Sequence, residues 1–361
     1  MNARPHTYVI AEAGVNHNGS LDLARRLVEA AAQAGADAVK FQTFRAQRIA
    51  RRDAPKAAYQ ERNGAAGETQ FEMLARLELD EAAHEELIAH CARHAIQFVS
   101  TPFDRDDLRM LVERFQLPLL KIASGEITNG PLLWDAARSR KRIVLSTGMS
   151  SLAEVESALG VLAHGFTAAT PPASREACEA AFNSSAGQEA LKAYVSLLHC
   201  TSEYPAPFED VNLRAMDTLA SKFGLPVGLS DHTTGYAVAV AAVARGAAII
   251  EKHMTLDRSL PGPDHKASLE PDEIAAMVRA IRETEQALGS ALKVPAPSEL
   301  GNRAIARKSL VASGPIRRGE PFTERNLAIK RPGDGLDPML YWELLGKAAK
   351  RDYRADEPID P

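Results

Sequence analysis

Residues 38–44 read AVKFQTF, an apolar run interrupted by an ammonium group at Lys40 and an amide at Gln42. Alternate side chains of a strand point to opposite faces, so Lys40 and Gln42 share one face while Val39 and Phe41 take the other. Seven more runs of this kind follow the same pattern: 8–13 (YVIAEA), 97–101 (QFVST), 119–125 (LLKIASG), 142–148 (RIVLSTG), 194–201 (YVSLLHCT), 226–232 (PVGLSDH) and 247–255 (AAIIEKHMT). Short apolar runs suit strands buried on both faces of a parallel sheet, and parallel neighbours require crossover connections. Helix-like segments separate the runs. In 21–36 Leu23, Leu27, Ala30 and Ala34 fall on one face before Gly35, and Ser151 precedes Glu154 at capping-box spacing. Asn212 is expected to cap a helix that ends at Gly224. The fold class is therefore α/β, a closed (β/α)8 TIM barrel. The open doubly wound alternative lacks a GxGxxG turn after its first strand.

The remainder of the chain fits one large domain with an appendage. It has 361 residues, 45% hydrophobic and 25% charged. The barrel is expected over 1–285, a Pro-rich polar linker over 286–302 and a small β-rich domain over 303–361, where short apolar runs are punctuated by Gly and Pro. Two stretches read as irregular: a long polar connection at 45–69, and an Ala-, Ser- and Pro-rich insertion at 166–187. A net charge of −4 gives no basic field for nucleic acid or anionic membrane, and no segment approaches a membrane span. Cys91, Cys178 and Cys200 are too few and too irregularly spaced for a disulfide framework, which points to the cytoplasm.

Active sites of such barrels lie at the carboxyl ends of the strands. Here every run ends in polar or reactive groups. Lys40 and Lys121 sit in apolar strands, where an ammonium group is costly without an anion, and phosphate is the natural one. The hydroxyls of Thr101, Ser124 and Ser230 complete such a cradle without adding charge. His232 and His253 end neighbouring strands, so their imidazoles can converge on a divalent ion such as Mn²⁺, Zn²⁺ or Co²⁺, although two core histidines would read alike. Ser100, Ser146 and Lys252 serve equally well as loop anchors. His17 and His265 are expected on the rim of the mouth.

In order, AEAGVNHNG, DAVKFQ, STPFD, KIASGE, LSTGM, HCTSEYPAP, GLSDHT, EKHMT and GPDHKAS resemble the sialic acid synthase family of nonulosonate synthases. The segment from 309, SLVASGPIRRGEPFTERNLAIKRPGDG, is similar to that family's SAF, or antifreeze-like, domain. The resemblance implies condensation of phosphoenolpyruvate with an N-acetylated mannose-type sugar, giving a nine-carbon 2-keto acid and phosphate. By the same resemblance Lys40, Thr101, Lys121, Ser124, Ser202 and Ser230 hold phosphoenolpyruvate. His232 and His253 bind Mn²⁺, with Mg²⁺ or Co²⁺ as substitutes. Glu12, Gln42, Glu126, Tyr204, Glu251 and Asp264 surround the sugar and the reacting carbons, and from their placement at the strand ends Glu126, then Glu12, are the acid–base candidates. Arg331 reaches the N-acyl group across a domain-swapped homodimer. Members that make N-acetylneuraminate commonly carry Asn where this chain has Ser202. That departure, with EDVNLRAM and GPDHKASLEP, looks closer to N,N′-diacetyllegionaminate synthases, whose acceptor is 2,4-diacetamido-2,4,6-trideoxymannose. N-acetylneuraminate synthase is the nearest alternative, and pseudaminate synthase ranks after it.

The same residues admit two other readings. A keto-sugar-acid lyase would use Lys121 or Lys40 as a Schiff-base nucleophile. A carbohydrate-binding protein would leave the strand tips idle.

Overall fold

The computed structural model describes residues 6–63 and 67–360. Each of the eight expected runs forms a strand: β1 (Tyr8–Gly14), β2 (Ala38–Thr43), β3 (Gln97–Pro102), β4 (Leu119–Ile122), β5 (Arg142–Ser146), β6 (Val195–Cys200), β7 (Val227–Asp231) and β8 (Ile249–His253). All neighbours are parallel, and pairing of β1 with β8 closes the barrel.

Alternation sorts each strand into an outer and an inner face. Outward side chains such as Val9, Val39 and Leu145 join helix residues such as Leu27, Leu87 and Ile281 in the main core. Inward, Ile10, Ala38, Val99, Val144, Leu198 and Ile249 fill the lower barrel as a separate apolar plug. Two positions further along three of these strands stand Glu12, Lys40 and Glu251, so the plug forms the floor beneath a polar layer. Register fixes the neighbours within that layer. Glu12 lies opposite Lys40 on one side and His253 on the other, Gln42 faces Thr101, and Ser230 faces Glu251.

Ser151 and Glu154 form the expected capping box of the helix Leu152–Thr167. Gly35 and Gly224 take left-handed conformations after their helices. Asn212 is no cap: it has φ 48°, and the helix begins at Ala215. The insertion at 166–187 is mostly helical, as Arg175–Asn183 and the start of Ser185–Tyr194, with the Ser184 hydroxyl accepting from Gly187 N at 3.0 Å. Alanine is the strongest helix former, so the small-residue composition builds helices where an irregular stretch is expected. The connection at 45–69 contains the short helices Ala46–Ile49 and Ala58–Asn63, and residues 64–66 within it lie outside the described residues.

The chain divides into compact units at Gly289/Ser290. The helix Pro271–Leu288 runs past the expected end of the barrel at 285, and the helix Leu300–Ala306 spans the expected boundary at 302/303. The second unit pairs β9 (Ser309–Ala312) antiparallel with β10 (Leu327–Lys330) around its own core, which includes Leu310, Phe322, Tyr353 and Ile359.

Candidate active site

The polar layer opens into a cavity of about 480 Å³ at the carboxyl ends of the strands. Every site residue expected from the barrel lines it: Glu12, Lys40, Gln42 and Thr101 from β1 to β3; Lys121, Ser124 and Glu126 at β4; Ser202 and Tyr204 after β6; and Ser230, His232, Glu251, His253 and Asp264 from β7 onward. Arg331 belongs to the second unit, where its Nε donates to the Ala306 carbonyl at 3.0 Å.

Two ammonium groups and two carboxylates form the centre. Lys40 Nζ lies 2.8 Å from Glu12 Oε2 and 3.8 Å from Glu251 Oε2, and Lys121 Nζ lies 3.5 Å from Glu251 Oε1. All four side chains are buried. Burial disfavours each charge, and the outcome depends on the neighbours. Burial works to lower the Lys40 pKa, but Glu12 and Glu251 more than offset it and hold the amine protonated. Lys121 stays below the usual lysine range because burial prevails over Glu251. Burial likewise pushes Glu12 up to about 7 against the pull of Lys40. Glu251 is held low: the two lysines and a 2.9 Å bond from Ser230 Oγ outweigh its burial.

Hydroxyl groups surround this centre. Lys40 Nζ donates to Thr101 Oγ1 at 3.2 Å, and Gly148 N donates to Ser124 Oγ at 3.0 Å. A Cβ at Gly148 would stand 2.4 Å from Ser202 Oγ and 2.9 Å from Ser124 Oγ, so only glycine lets these hydroxyls approach the loop. Glu126 sits half-buried on the turn after β4. Burial raises its pKa, and Asn129 Nδ2, donating to Oε2 at 2.7 Å, opposes the rise.

The His232 and His253 rings lie 5.4 Å apart, with Tyr204 against both at 4.2 and 5.3 Å. His232 Nδ1 donates to the Thr201 carbonyl at 2.6 Å, which leaves the Nε2 lone pair free. Ser230 Oγ is 3.2 Å from that Nε2, but its single proton goes to the acceptor-only Glu251 carboxylate. His253 Nδ1 is buried without a hydrogen-bond partner and lies 3.8 Å from Asp264 Oδ2. Burial holds His232 down at about 4 and His253 well below its ordinary value, so both rings are neutral. Two neutral imidazoles with free lone pairs beside a carboxylate are a donor set that fits a divalent ion. Another His and acid cluster among the described residues joins Glu29 of the outer helix Leu21–Gln33 to His90 of the helix Glu81–Arg93 and to His94, the residue that follows that helix.

Several polar residues serve the scaffold. Ser100 Oγ bonds Thr43 Oγ1 at 2.6 Å, and Lys252 Nζ pairs with Asp231 Oδ2 at 2.9 Å while donating to the Thr233 carbonyl at 2.6 Å. His17 and His265 are fully buried instead of standing on the rim. Gly19 N donates to His17 Nδ1, and His265 Nδ1 bonds Thr255 Oγ1, so local loop contacts draw both rings inward. Sequence reasoning missed the apolar part of the lining, including Phe44, Ile49, Met73, Leu74 and Phe103. The readable signal was Thr69–Glu72, a capping box that starts the helix Gln70–Arg76.

Comparison with known proteins agrees with this architecture. The NeuB family model matches residues 27–293, and the SAF domain model matches 307–361. The chain is 48% identical to the N,N′-diacetyllegionaminic acid synthase of Campylobacter jejuni over 98% of both chains. It is 43% identical to the Legionella pneumophila protein of the same name, over 96% of this chain and 92% of that one. Among solved structures, the N-acetylneuraminic acid synthetase of Leptospira borgpetersenii, in complex with citrate, superposes with a TM-score of 0.65. That pair is 34% identical, over 82% of this chain and 90% of the other.

Proposed function

The chain belongs to the NeuB family and carries a SAF domain, and on that premise we propose that it condenses phosphoenolpyruvate with an N-acylated mannose-type sugar to give a nine-carbon 2-keto acid and phosphate. The acceptor in this reading is 2,4-diacetamido-2,4,6-trideoxymannose and the product N,N′-diacetyllegionaminate, in keeping with the two legionaminic acid synthases it resembles. The observation that carries the reading is the grouping of Lys40, Lys121, His232 and His253 around one cavity.

Each group has a task. Lys40 and Lys121, with the hydroxyls of Thr101, Ser124, Ser202 and Ser230, bind the phosphate and carboxylate of the enol ester. Their buried setting strengthens those contacts. His232 and His253, with Asp264 beside them, would hold the divalent ion, Mn²⁺ for preference. When bound, that ion supplies Lewis acidity toward the sugar aldehyde. Gln42, Tyr204 and Glu251 orient the sugar. The enol C3 forms its bond to the aldehyde carbon, water adds at C2, and phosphate departs with C–O cleavage. A carboxylate must take the proton from that water and return one to a departing or newly formed oxygen. Glu126 is the first candidate and Glu12, whose pKa near neutrality suits proton exchange, is the second. In the same reading two copies pair, Arg331 of the partner subunit meets the N-acyl group, and the enzyme works in the cytoplasm. Among the described residues no helix is long and apolar enough to cross a membrane.

The test is phosphate release from phosphoenolpyruvate and Mn²⁺ with a panel of N-acetylmannosamine and diacetamido trideoxyhexoses. Release with the 2,4-diacetamido sugar is expected, stopped by chelator and restored by Mn²⁺. Preference for N-acetylmannosamine would overturn the acceptor, and silence throughout would overturn the reaction.

A further inference from the structure

The cavity has an apolar side that the condensation chemistry does not use. Val15, Phe44, Met73 and Leu77 form a small buried cluster separate from the barrel core. Ile49, Leu74 and Phe103 pack on its edge, and all seven side chains also line the cavity. Phe44 and Phe103 meet edge to face at 6.0 Å. This cluster therefore packs with one flank against protein and the other against the cavity.

Its place along the chain gives it a position. Val15, Phe44 and Phe103 follow Glu12, Gln42 and Thr101 by two or three residues at the ends of β1, β2 and β3. Ile49, Met73, Leu74 and Leu77 come from the connection between β2 and β3. The wall thus stands above the ionic floor, toward the mouth. In the proposed reaction C1 of the acceptor must lie at the floor, beside the lysines and histidines, so the far end of the sugar points toward this wall. An apolar lining favours a group that brings no unpaired hydroxyl into it.

We propose that this wall, with Ile49 and Leu74 at its edge, selects the acceptor by its C6 end, favouring a 6-deoxy methyl group over a hydroxymethyl. The inference rests on the condensation reading above and adds the residues that set its selectivity. A hydrophobic pocket rejects an added hydroxyl only moderately, so the expected preference is about tenfold to a hundredfold in kcat/KM.

The experiment compares 2,4-diacetamido-2,4,6-trideoxymannose with its 6-hydroxy counterpart in the phosphate-release assay, for the wild-type chain and for Leu74→Gln, Ile49→Asn and Leu74→Met. Wild type and Leu74→Met should prefer the 6-deoxy sugar, and either polar variant should draw the ratio toward one through KM for that sugar. Leu74 and Ile49 are only partly buried, and two independent variants guard against misfolding of one. Equal use of both sugars by the wild type, or an unchanged ratio in a folded polar variant, overturns the proposal while leaving the condensation intact. Silence with both sugars overturns the condensation and this proposal together.

Discussion

Glu251 on β8 and Lys121 on β4 approach to 3.5 Å although their strands stand opposite each other in the closed ring. Lys40 reaches the same carboxylate at 3.8 Å from β2. One side chain thus serves as counter-ion to two buried ammonium groups from different parts of the barrel. Removing one member of such a buried set costs about 3–5 kcal/mol. Glu251→Gln should therefore lower the melting temperature. Inorganic phosphate should raise it more in the variant than in the wild type, because the anion replaces the lost charge. Thermal melts with and without phosphate check this, and an equal phosphate shift in both proteins would refute it.

Glu126 offers a carboxylate to the cavity without an ammonium partner among the described residues, unlike Glu12 and Glu251. If it exchanges the proton of the attacking water, Glu126→Gln lowers kcat by about 10²–10⁴ with little change in KM for phosphoenolpyruvate. Steady-state phosphate release measures this. Near-normal turnover would transfer the role to Glu12.

Behind the histidines, Lys252 and Asp231 form a pair that is almost completely buried. Asp231 also accepts from Thr233 N at 3.0 Å and Thr233 Oγ1 at 2.8 Å, which ties down the loop just after His232. Lys252→Met leaves the carboxylate uncompensated and should cost about 3–5 kcal/mol in denaturant titrations. The double variant Lys252→Met with Asp231→Asn should recover part of that loss, giving a favourable coupling in a double-mutant cycle. Strict additivity would contradict the pairing.

His17 is buried, and burial lowers its pKa from 6.5 to about 4. Below pH 6.5 the unfolded chain takes up a proton that the folded chain refuses until about pH 4, so stability falls as pH drops through this window. The contribution is about 2 kcal/mol less at pH 5 than at pH 7. His17→Asn, whose amide oxygen can still accept from Gly19 N, should flatten the pH dependence by that amount in urea titrations. An unchanged slope would count against it.

What the sequence made legible follows from length and period. Each barrel strand is an apolar run with two-residue alternation, so Lys40 and Gln42, or Glu251 and His253, could be placed on one face before any coordinates. Burial of all four lysine and carboxylate groups follows from that placement. The wall was hidden because Ala46–Ile49 and Gln70–Arg76 are too short to show helical periodicity, and their apolar residues acquire meaning only when the chain returns to the mouth. Asn212 misled because the residue types that cap helices also tolerate left-handed backbone, and here the second property prevailed. His265 also meets Asn18 Oδ1 at 3.3 Å, a contact across 247 residues of chain that local pattern does not reveal.

In the C-terminal unit, Leu310 O accepts from Ile359 N at 2.9 Å and Ala312 N donates to the Glu357 carbonyl at 3.0 Å, so its first strand is completed by residues close to 360. During translation this small module cannot close until that late segment clears the ribosomal tunnel. The eight-stranded portion has all its strands available well before then and can assemble vectorially, with the tail still nascent.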